Sequence, residues 1–362
     1  MDVKNNAPII IAGPCSVESE EQLSAVCGAL AAMPQVRAIR CGVWKPRSKP
    51  GGFEGLGEAA LAIADSVRQR HPHLPPLCCE VATPAHVELC LRHGISLFWI
   101  GARTTTNPFM VEELTQALRG THAAMMVKNP LSPDVRLWAG AIERFQNTLP
   151  PAGQGGLPCV AAIHRGFVQY GESNYRNSPL WEVPIELHRL MPEVPLLCDP
   201  SHIAGRSPLV APLAQQALDL HFDGLMIEVH HHPAEAMTDA SQQLSPAEFR
   251  SLVEGLVMRR ATGSVHELDI CRKEIDDIDH QLLVLLARRM RLSGDIATIK
   301  SQHNMAIYQP ERWEAVLQQL REQAATLQLD PSFIESLYGK IHAESIRTQE
   351  TVIDPTDRST SR

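Results

Sequence analysis

Short, almost unbroken apolar runs alternate with longer amphipathic stretches from the N-terminus to about residue 257. The apolar runs predict strands at Pro8–Ala12, Val36–Gly42, Leu77–Val81, Leu97–Ile100, Ala124–Val127, Cys159–Ile163, Leu196–Cys198 and Gly224–Val229. Between and after them, positions spaced three and four apart predict helices over Glu20–Ala32, Gly57–Arg70, Ala85–His93, Met110–Arg119, Pro133–Asn147, Leu180–Met191, Leu209–Leu220 and Pro246–Val257. Strands apolar on both faces and separated by helices belong to a parallel sheet covered on both sides. Eight such units suggest a closed (β/α)8 barrel, with an open doubly wound sheet as the alternative.

The pattern changes at a small-residue linker, 261–265. Beyond it no strand pattern remains. Leu268, Cys271, Ile275, Ile278, Leu282, Leu285, Leu292, Ile296 and Ile299 form one apolar seam interrupted at Arg289, predicting a helix from Glu267 to about Gln302. A helix of that length, about 55 Å at 1.5 Å per residue, cannot bury its seam alone and needs partner helices. Two further helices are expected at Pro310–Ala325 and Pro331–Gln349, each opened by a proline suited to a first turn. The chain thus divides into a barrel over 1–260, the linker, an all-α domain of three helices over 266–350, and a disordered tail over 351–362.

With 362 residues, 44% hydrophobic and 20% charged, the composition is that of an ordinary globular protein. A net charge of −8 argues against non-specific binding to nucleic acid or to an anionic membrane. No stretch approaches the roughly 18 to 20 apolar residues of a membrane span. The start of the chain lacks the pattern of a signal peptide. Nine cysteines without paired spacing read as reduced thiols. The expected location is the cytoplasm.

Against that acidic background, titratable and polar residues recur just past the carboxyl ends of the predicted strands: Cys15, Lys45, Glu80, Arg103, Lys128, Arg165, His202 and Glu228. Barrel enzymes place their chemistry at that rim, where all eight loops converge. Lys45, Arg47, Arg103, Lys128 and Arg165 form a cationic set suited to phosphate and carboxylate groups. Cys15, His202, Glu228 and Asp239 combine thiolate, imidazole and carboxylates, a set suited to one borderline divalent metal ion (Mn, Fe, Co or Zn) rather than Mg or Ca. The run His230-His231-His232 is read as rim residues, because successive residues of an extended segment point to opposite sides.

The segments GPCSVES (13–19), KPRS (45–48), GAR (101–103), VKNP (127–130), HRG (164–166), DPSH (199–202) and IEVHHHPAEAMTDASQ (227–242) resemble 3-deoxy-D-arabino-heptulosonate 7-phosphate (DAHP) synthase. The resemblance spans nearly all of 8–258 and is to the short class related to 3-deoxy-D-manno-octulosonate 8-phosphate synthase. It implies that Cys15, His202, Glu228 and Asp239 bind the metal, and that Arg103, Lys128 and Arg165 hold phosphoenolpyruvate. It also implies that Lys45, Arg47 and Ser48, with Arg176 as a second contact, meet erythrose 4-phosphate. Lys45 would then protonate the new alkoxide and Glu80 orient the attacking water or a metal ligand. His164 departs from the family, whose members carry Glu before Arg-Gly. An octulosonate synthase is the alternative for the barrel, although KPRS favours the heptulosonate enzyme.

On the long helix, Arg289 and Lys300 share a face to within about 20°, whereas Arg272, about 25 Å away along the axis, cannot reach the same small ligand within one chain. This arrangement, with YQPER at 308–312 and the spacing to Ser345 and Gln349, resembles the all-α chorismate mutases over 266–350. The resemblance implies a homodimer in which Arg272 of one chain joins Arg289, Gln309, Arg312 and Ser345 of the other around chorismate. Lys300 and Gln349 would face the ether oxygen. Gln309 replaces a common Asp, and Trp313 stands where Glu commonly meets the substrate hydroxyl. The alternative is a dimerising sensor without turnover. In either case chorismate or prephenate is the expected effector of the barrel.

Overall fold

A computed structural model of the protein describes residues 7–45, 51–150, 159–169, 174–259 and 266–353. It divides into two compact units, Met1–Ala261 and Thr262–Arg362.

In the first unit, strands β1 (Ile9–Gly13), β2 (Val36–Arg40), β3 (Leu77–Glu80), β4 (Leu97–Ile100), β5 (Ala124–Lys128), β6 (Val160–His164), β7 (Leu196–Cys198) and β8 (Gly224–Glu228) close a barrel in sequence order. All eight pairings are parallel, including the closing pair β1–β8. The open-sheet alternative is thereby excluded. Around the barrel run α1 (Glu20–Ala31), α2 (Glu58–Arg70), α3 (Pro84–Arg92), α4 (Ala102–Thr105), α5 (Pro108–Leu118), α6 (Val135–Gln146), α7 (Glu182–Leu190), α8 (Pro200–Ala204), α9 (Val210–Asp219) and α10 (Pro246–Gly255). The short helices α4 and α8 were not expected. Asp199 starts α8 by accepting the His202 amide, the usual way a carboxylate side chain satisfies a free first-turn donor.

The period of two along each strand sorts the side chains into two cores. Ile11, Ala38, Cys78, Leu97, Trp99, Met126, Ile163, Leu197 and Met226 fill the barrel interior. Ile10, Ile39, Cys79, Phe98, Val127, Ala162 and Leu225 point outward to the helices. Gly13 is required where β1 crosses close to β2, since a Cβ there would stand 2.2 Å from the Arg40 carbonyl oxygen.

The second unit is three helices, α11 (His266–Gln302), α12 (Pro310–Thr326) and α13 (Pro331–Ile353). Helix α13 continues past Gln349, so Thr351–Ile353, expected to begin a disordered tail, are helical. From Leu268 through Leu285 every residue of α11 is exposed. Leu282 and Leu285 are 51% and 58% exposed, so the seam read from the sequence is unburied within one chain over that length. The linker 261–265 lies outside the described residues, as do Arg47 and Ser48.

Candidate active sites

Counting two residues up each strand from the barrel interior gives the layer above it. Ala38 leads to Arg40, Cys78 to Glu80, Leu97 to Trp99, Met126 to Lys128, Ile163 to Arg165, Leu197 to Asp199 and Met226 to Glu228. The sequence pattern that packs the barrel therefore also aims this set at its carboxyl mouth.

Cys15, Glu228 and Asp239 come together there, each offering a ligand atom within 4.8 Å of the others. Cys15 Sγ donates to Asp239 Oδ2 at 3.3 Å. Lys45 Nζ donates to Cys15 Sγ at 2.6 Å and to Asp239 Oδ2 at 2.9 Å. Arg40 Nη2 pairs with Glu228 Oε1 at 2.9 Å, both side chains fully buried, and Gln242 Nε2 donates to Glu228 Oε2 at 2.6 Å. His202 stands outside the trio but next to it, with Nε2 3.8 Å from Glu228 Oε1. Its Nδ1 lies 2.8 Å from Asp199 Oδ2, and Lys128 Nζ donates to the same oxygen at 2.8 Å.

The electrostatics follow from this crowding. Burial, with Glu228 and Asp239, pushes the Cys15 thiol up to about 12 despite Lys45 and Arg40. Burial would depress the Lys45 ammonium, but Cys15, Glu228 and Asp239 hold it above its ordinary range. Burial would raise the Asp199 carboxyl, but His202 and Lys128 hold it well below the usual carboxylate range. Glu228 Oε1 receives no aligned hydrogen bond even though Arg40 is adjacent. A thiol, two carboxylates and a neighbouring imidazole, with an undersatisfied oxygen among them, fit a borderline divalent ion, whose charge would favour the thiolate that burial disfavours.

On the cationic side, Arg165 is positioned by Asn129, whose Oδ1 accepts its amide at 2.7 Å, and by Asn177, whose Oδ1 accepts from Nη1 at 2.8 Å. Burial, with Arg176 and Arg103 nearby and only partly offset by Asp199, brings its guanidinium down to about 10. Arg103, Arg165 and Arg176 thus lie close enough for their charges to act on one another. Arg176 reaches Asp239 Oδ1 at 3.1 Å and Gln242 Oε1 at 2.7 Å, at the edge of an open recess of about 590 Å³ that Arg206 also lines. A smaller recess of about 160 Å³ adjoins Lys45 and Glu80, walled by Trp44 stacked on His86 at 3.8 Å. Gly101 leaves room for the Glu80 carboxylate, which a Cβ would meet at 2.4 Å.

His164 is out of phase with the layer and points to the helices, caged by Trp138, Phe167, Trp181 and Phe222. Burial pushes its imidazole down to about 3, so it is a neutral packing residue. His230 is buried against Glu18 rather than lying on the rim, with Nε2 3.3 Å from Oε2. The sequence reading missed Arg40, Trp99, Asp199 and Gln242. For Arg40 the signal was available: a lone charge in the apolar run VRAIR, in phase with the interior.

In the helical unit, Arg289 Nη1 donates to Ser345 Oγ, and Lys300 Nζ donates to the Ile307 carbonyl. Burial and the charges of Arg289 and Lys300 lower the imidazole of His342. Its ring stacks on Trp313 at 4.0 Å. Ser345 and Gln349 are buried on α13, and Gln349 Oε1 lacks a partner. Gln309 ends the loop before α12 without capping it through its side chain, and Arg312 follows in the first turn. Arg272 is brought to none of these; its guanidinium lies 3.5 Å from Asp269 on the exposed part of α11.

A closed parallel barrel with cations and an acid–thiol cluster at its carboxyl mouth defines a barrel enzyme for small anionic substrates, here carried with an all-helical unit. Residues 2–259 match the DAHP synthetase I family, to which the chain belongs, and residues 271–350 match chorismate mutase type II. It is thus a DAHP synthase domain, a transferase, fused to a chorismate mutase domain, an isomerase. The chain is 30% identical over 258 residues to a phospho-2-dehydro-3-deoxyheptonate aldolase of Thermotoga maritima, covering 70% of each sequence. A crystal structure of the DAHP synthase of that organism superposes with a TM-score of 0.58 at 26% identity, covering 69% of this chain and 68% of that one. The helical part is 35% identical over 85 residues to a T-protein of Enterobacter agglomerans, covering 24% of this chain and 23% of the relative.

Proposed function

We propose that the barrel condenses phosphoenolpyruvate with erythrose 4-phosphate in a metal-dependent reaction, and that the helical domain rearranges chorismate to prephenate in a homodimer. The observation that carries the first reading is the convergence of Cys15, Glu228 and Asp239 beside Arg40, Lys45, Lys128 and Arg165. Cys15, Glu228 and Asp239, with His202 turning from Glu228, would hold one ion of the Mn, Fe, Co or Zn kind. Bound there, such an ion supplies Lewis acidity toward the aldehyde oxygen. Lys128, Arg165 and Arg103 hold phosphoenolpyruvate; Arg47, Ser48 and Arg176 meet the phosphate of the aldose. Gathering two mutually repelling anions in one cleft is the largest task, one of orientation and fixed positive charge. The phosphoenolpyruvate methylene carbon bonds to the aldehyde carbon, and the aldehyde oxygen takes a proton from the Lys45 ammonium. Glu80 orients the water that adds at the former enol carbon and accepts its proton. The hemiketal phosphate then collapses to the ketone and inorganic phosphate.

In the helical domain the reaction needs no covalent step, so position and charge suffice. Arg289, Arg312 and Arg272 of the partner subunit take the carboxylates, Gln309 and Ser345 line the pocket, and Lys300 with Gln349 faces the ether oxygen. The unburied seam of α11 and the remoteness of Arg272 support pairing with a second copy. Chorismate or prephenate in that dimer site regulates the barrel, since intervening reactions rule out direct channelling as the reason for fusion. Among the described residues no helix is long and apolar enough to cross a membrane, in keeping with a cytoplasmic enzyme. The test is phosphoenolpyruvate consumption with and without chelator, repeated with prephenate for the native chain and Arg289→Ala. Full activity without metal refutes the metal reading, and equal inhibition of both chains refutes regulation through the helical site.

A further inference from the structure

Trp99 is fully buried at the top of the barrel interior, and three charged residues of the synthase site converge on it. Its indole Nε1 donates to Glu80 Oε2 at 3.0 Å, and the two residues are register partners on β3 and β4. The Arg40 guanidinium carbon lies 5.2 Å from the ring centroid and Lys128 Nζ lies 5.8 Å from it. Both distances fall within the reach of a cation–π attraction, which is strongest for indole and strengthens where water is excluded. Arg40 continues to Glu228, and Lys128 continues to Asp199 and so to His202. One aromatic side chain therefore hydrogen-bonds the Glu80 carboxylate and lies beside the cations that pair with Glu228 and Asp199.

An ordinary interior residue would show none of this. Leu97 below it and Met126 beside it in the register fill the same core with apolar contacts alone. An indole differs from them in having one directed donor and a face of negative potential, and here the N–H meets a carboxylate and the ring meets two cations.

We propose that Trp99 is a positioning residue of the synthase, fixing the Glu80 carboxylate through its N–H and the Arg40 and Lys128 cations through its ring. The proposal depends on the role given above to Glu80 and assigns Trp99 no contact with substrate. The two functions of the side chain are separable. Trp99→Phe keeps a ring beside the cations and removes the donor; Trp99→Leu removes both.

The experiment is steady-state kinetics of the full chain with phosphoenolpyruvate, erythrose 4-phosphate and Mn²⁺, with the calorimetric melting of the barrel as the control for folding. Trp99→Phe should lower kcat about 10- to 100-fold, as expected for a misplaced catalytic group, while KM for phosphoenolpyruvate stays within about threefold. Trp99→Leu should in addition raise that KM about tenfold. Placed in a Glu80→Gln background, Trp99→Phe should cost little more, because the group it positions is already gone. Equal costs of Trp99→Phe in both backgrounds would mean plain packing and would overturn the proposal. If Glu80→Gln alone leaves kcat intact, the role of Glu80 is wrong, and Trp99 has no carboxylate to position. Should Trp99→Phe not fold, indole N–H resonances of the native and Glu80→Gln chains decide. After Trp44, Trp138, Trp181 and Trp313 are assigned by replacement, the remaining signal must move in Glu80→Gln, and an unmoved signal refutes the contact.

Discussion

Replacing Arg40 with Met tests whether the barrel mouth is held together by charge compensation. Arg40 and Glu228 are 2% and 0% exposed and meet at 2.9 Å, so removing the guanidinium leaves a buried carboxylate without its nearest counter-ion. Breaking one side of a buried pair costs about 3–5 kcal/mol. The lost bond from Arg40 Nε to the Pro14 carbonyl adds about 1 kcal/mol. Against a total of about 5–15 kcal/mol this is large, and at roughly 2–4 °C per kcal/mol it lowers the barrel melting temperature by about 8–24 °C. Two further outcomes identify the cause. In Arg40→Met with Glu228→Gln no buried charge is stranded, so at least about 2 kcal/mol should return. His202, then Arg40 and Lys45, hold the Glu228 carboxyl below its ordinary value despite burial, so its stabilising effect is present above the unfolded value and lost as pH falls through the folded one. The Arg40→Met deficit should therefore be greatest near pH 7 and shrink toward pH 4, where a carboxylate without its partner takes a proton. The assay is calorimetric melting with and without Mn²⁺, whose binding should stabilise the variant more than the native chain, because the ion replaces the missing positive charge. A deficit under about 1 kcal/mol, or one that Glu228→Gln deepens, refutes this reasoning.

Cys15→Ser and His202→Ala should each remove nearly all synthase activity and most bound metal, measured by elemental analysis, with mutase turnover mostly kept. Lys300→Ala should lower mutase kcat by about 10² while synthase turnover persists; a change confined to KM would place Lys300 in uniform binding instead. His164 is held near 3 in the fold against an unfolded value near 6.5, so the unfolded chain binds the extra proton and stability falls as pH drops from 6.5 toward 3. At pH 5 that amounts to about 2 kcal/mol, and His164→Phe should flatten the loss in an acid melting series.

Where the sequence succeeded and failed has one physical explanation, the phase of the strands. The eight apolar runs fixed the barrel because each must be buried on both faces, and the polar residues after them marked the mouth. The limit was position within a run. Arg40 was passed over as a strand residue, and His164 was noted only as a departure from the family, although two-residue counting from Ala38 and from Ile163 puts the first inside and the second outside. Asp199 was missed in the same way, although counting from Leu197 places it in the layer. Gln242 was missed for another reason: it lies on the loop after β8 that returns to Glu228, a long-range contact that no local period encodes.

The helical unit reverses this relation: its elements follow the pattern, but its apolar seam stays bare within one chain. Its three helices were legible from periodicity, and Arg289 lies with Ser345, which the resemblance put in one pocket. A single chain nevertheless leaves Leu282 and Leu285 more than half exposed and Arg272 out on the same bare stretch. An apolar seam of that length is costly in water at about 25 cal/mol per Å². The residues that expose it and the arginine that lacks a ligand are on the same stretch of helix. One pairing with a second copy of that stretch would bury the seam and supply the missing cation together. That is why the incompleteness of the site is itself an argument for the dimer: a monomeric enzyme would have no reason to keep Arg272 so far from Lys300 along so apolar a helix.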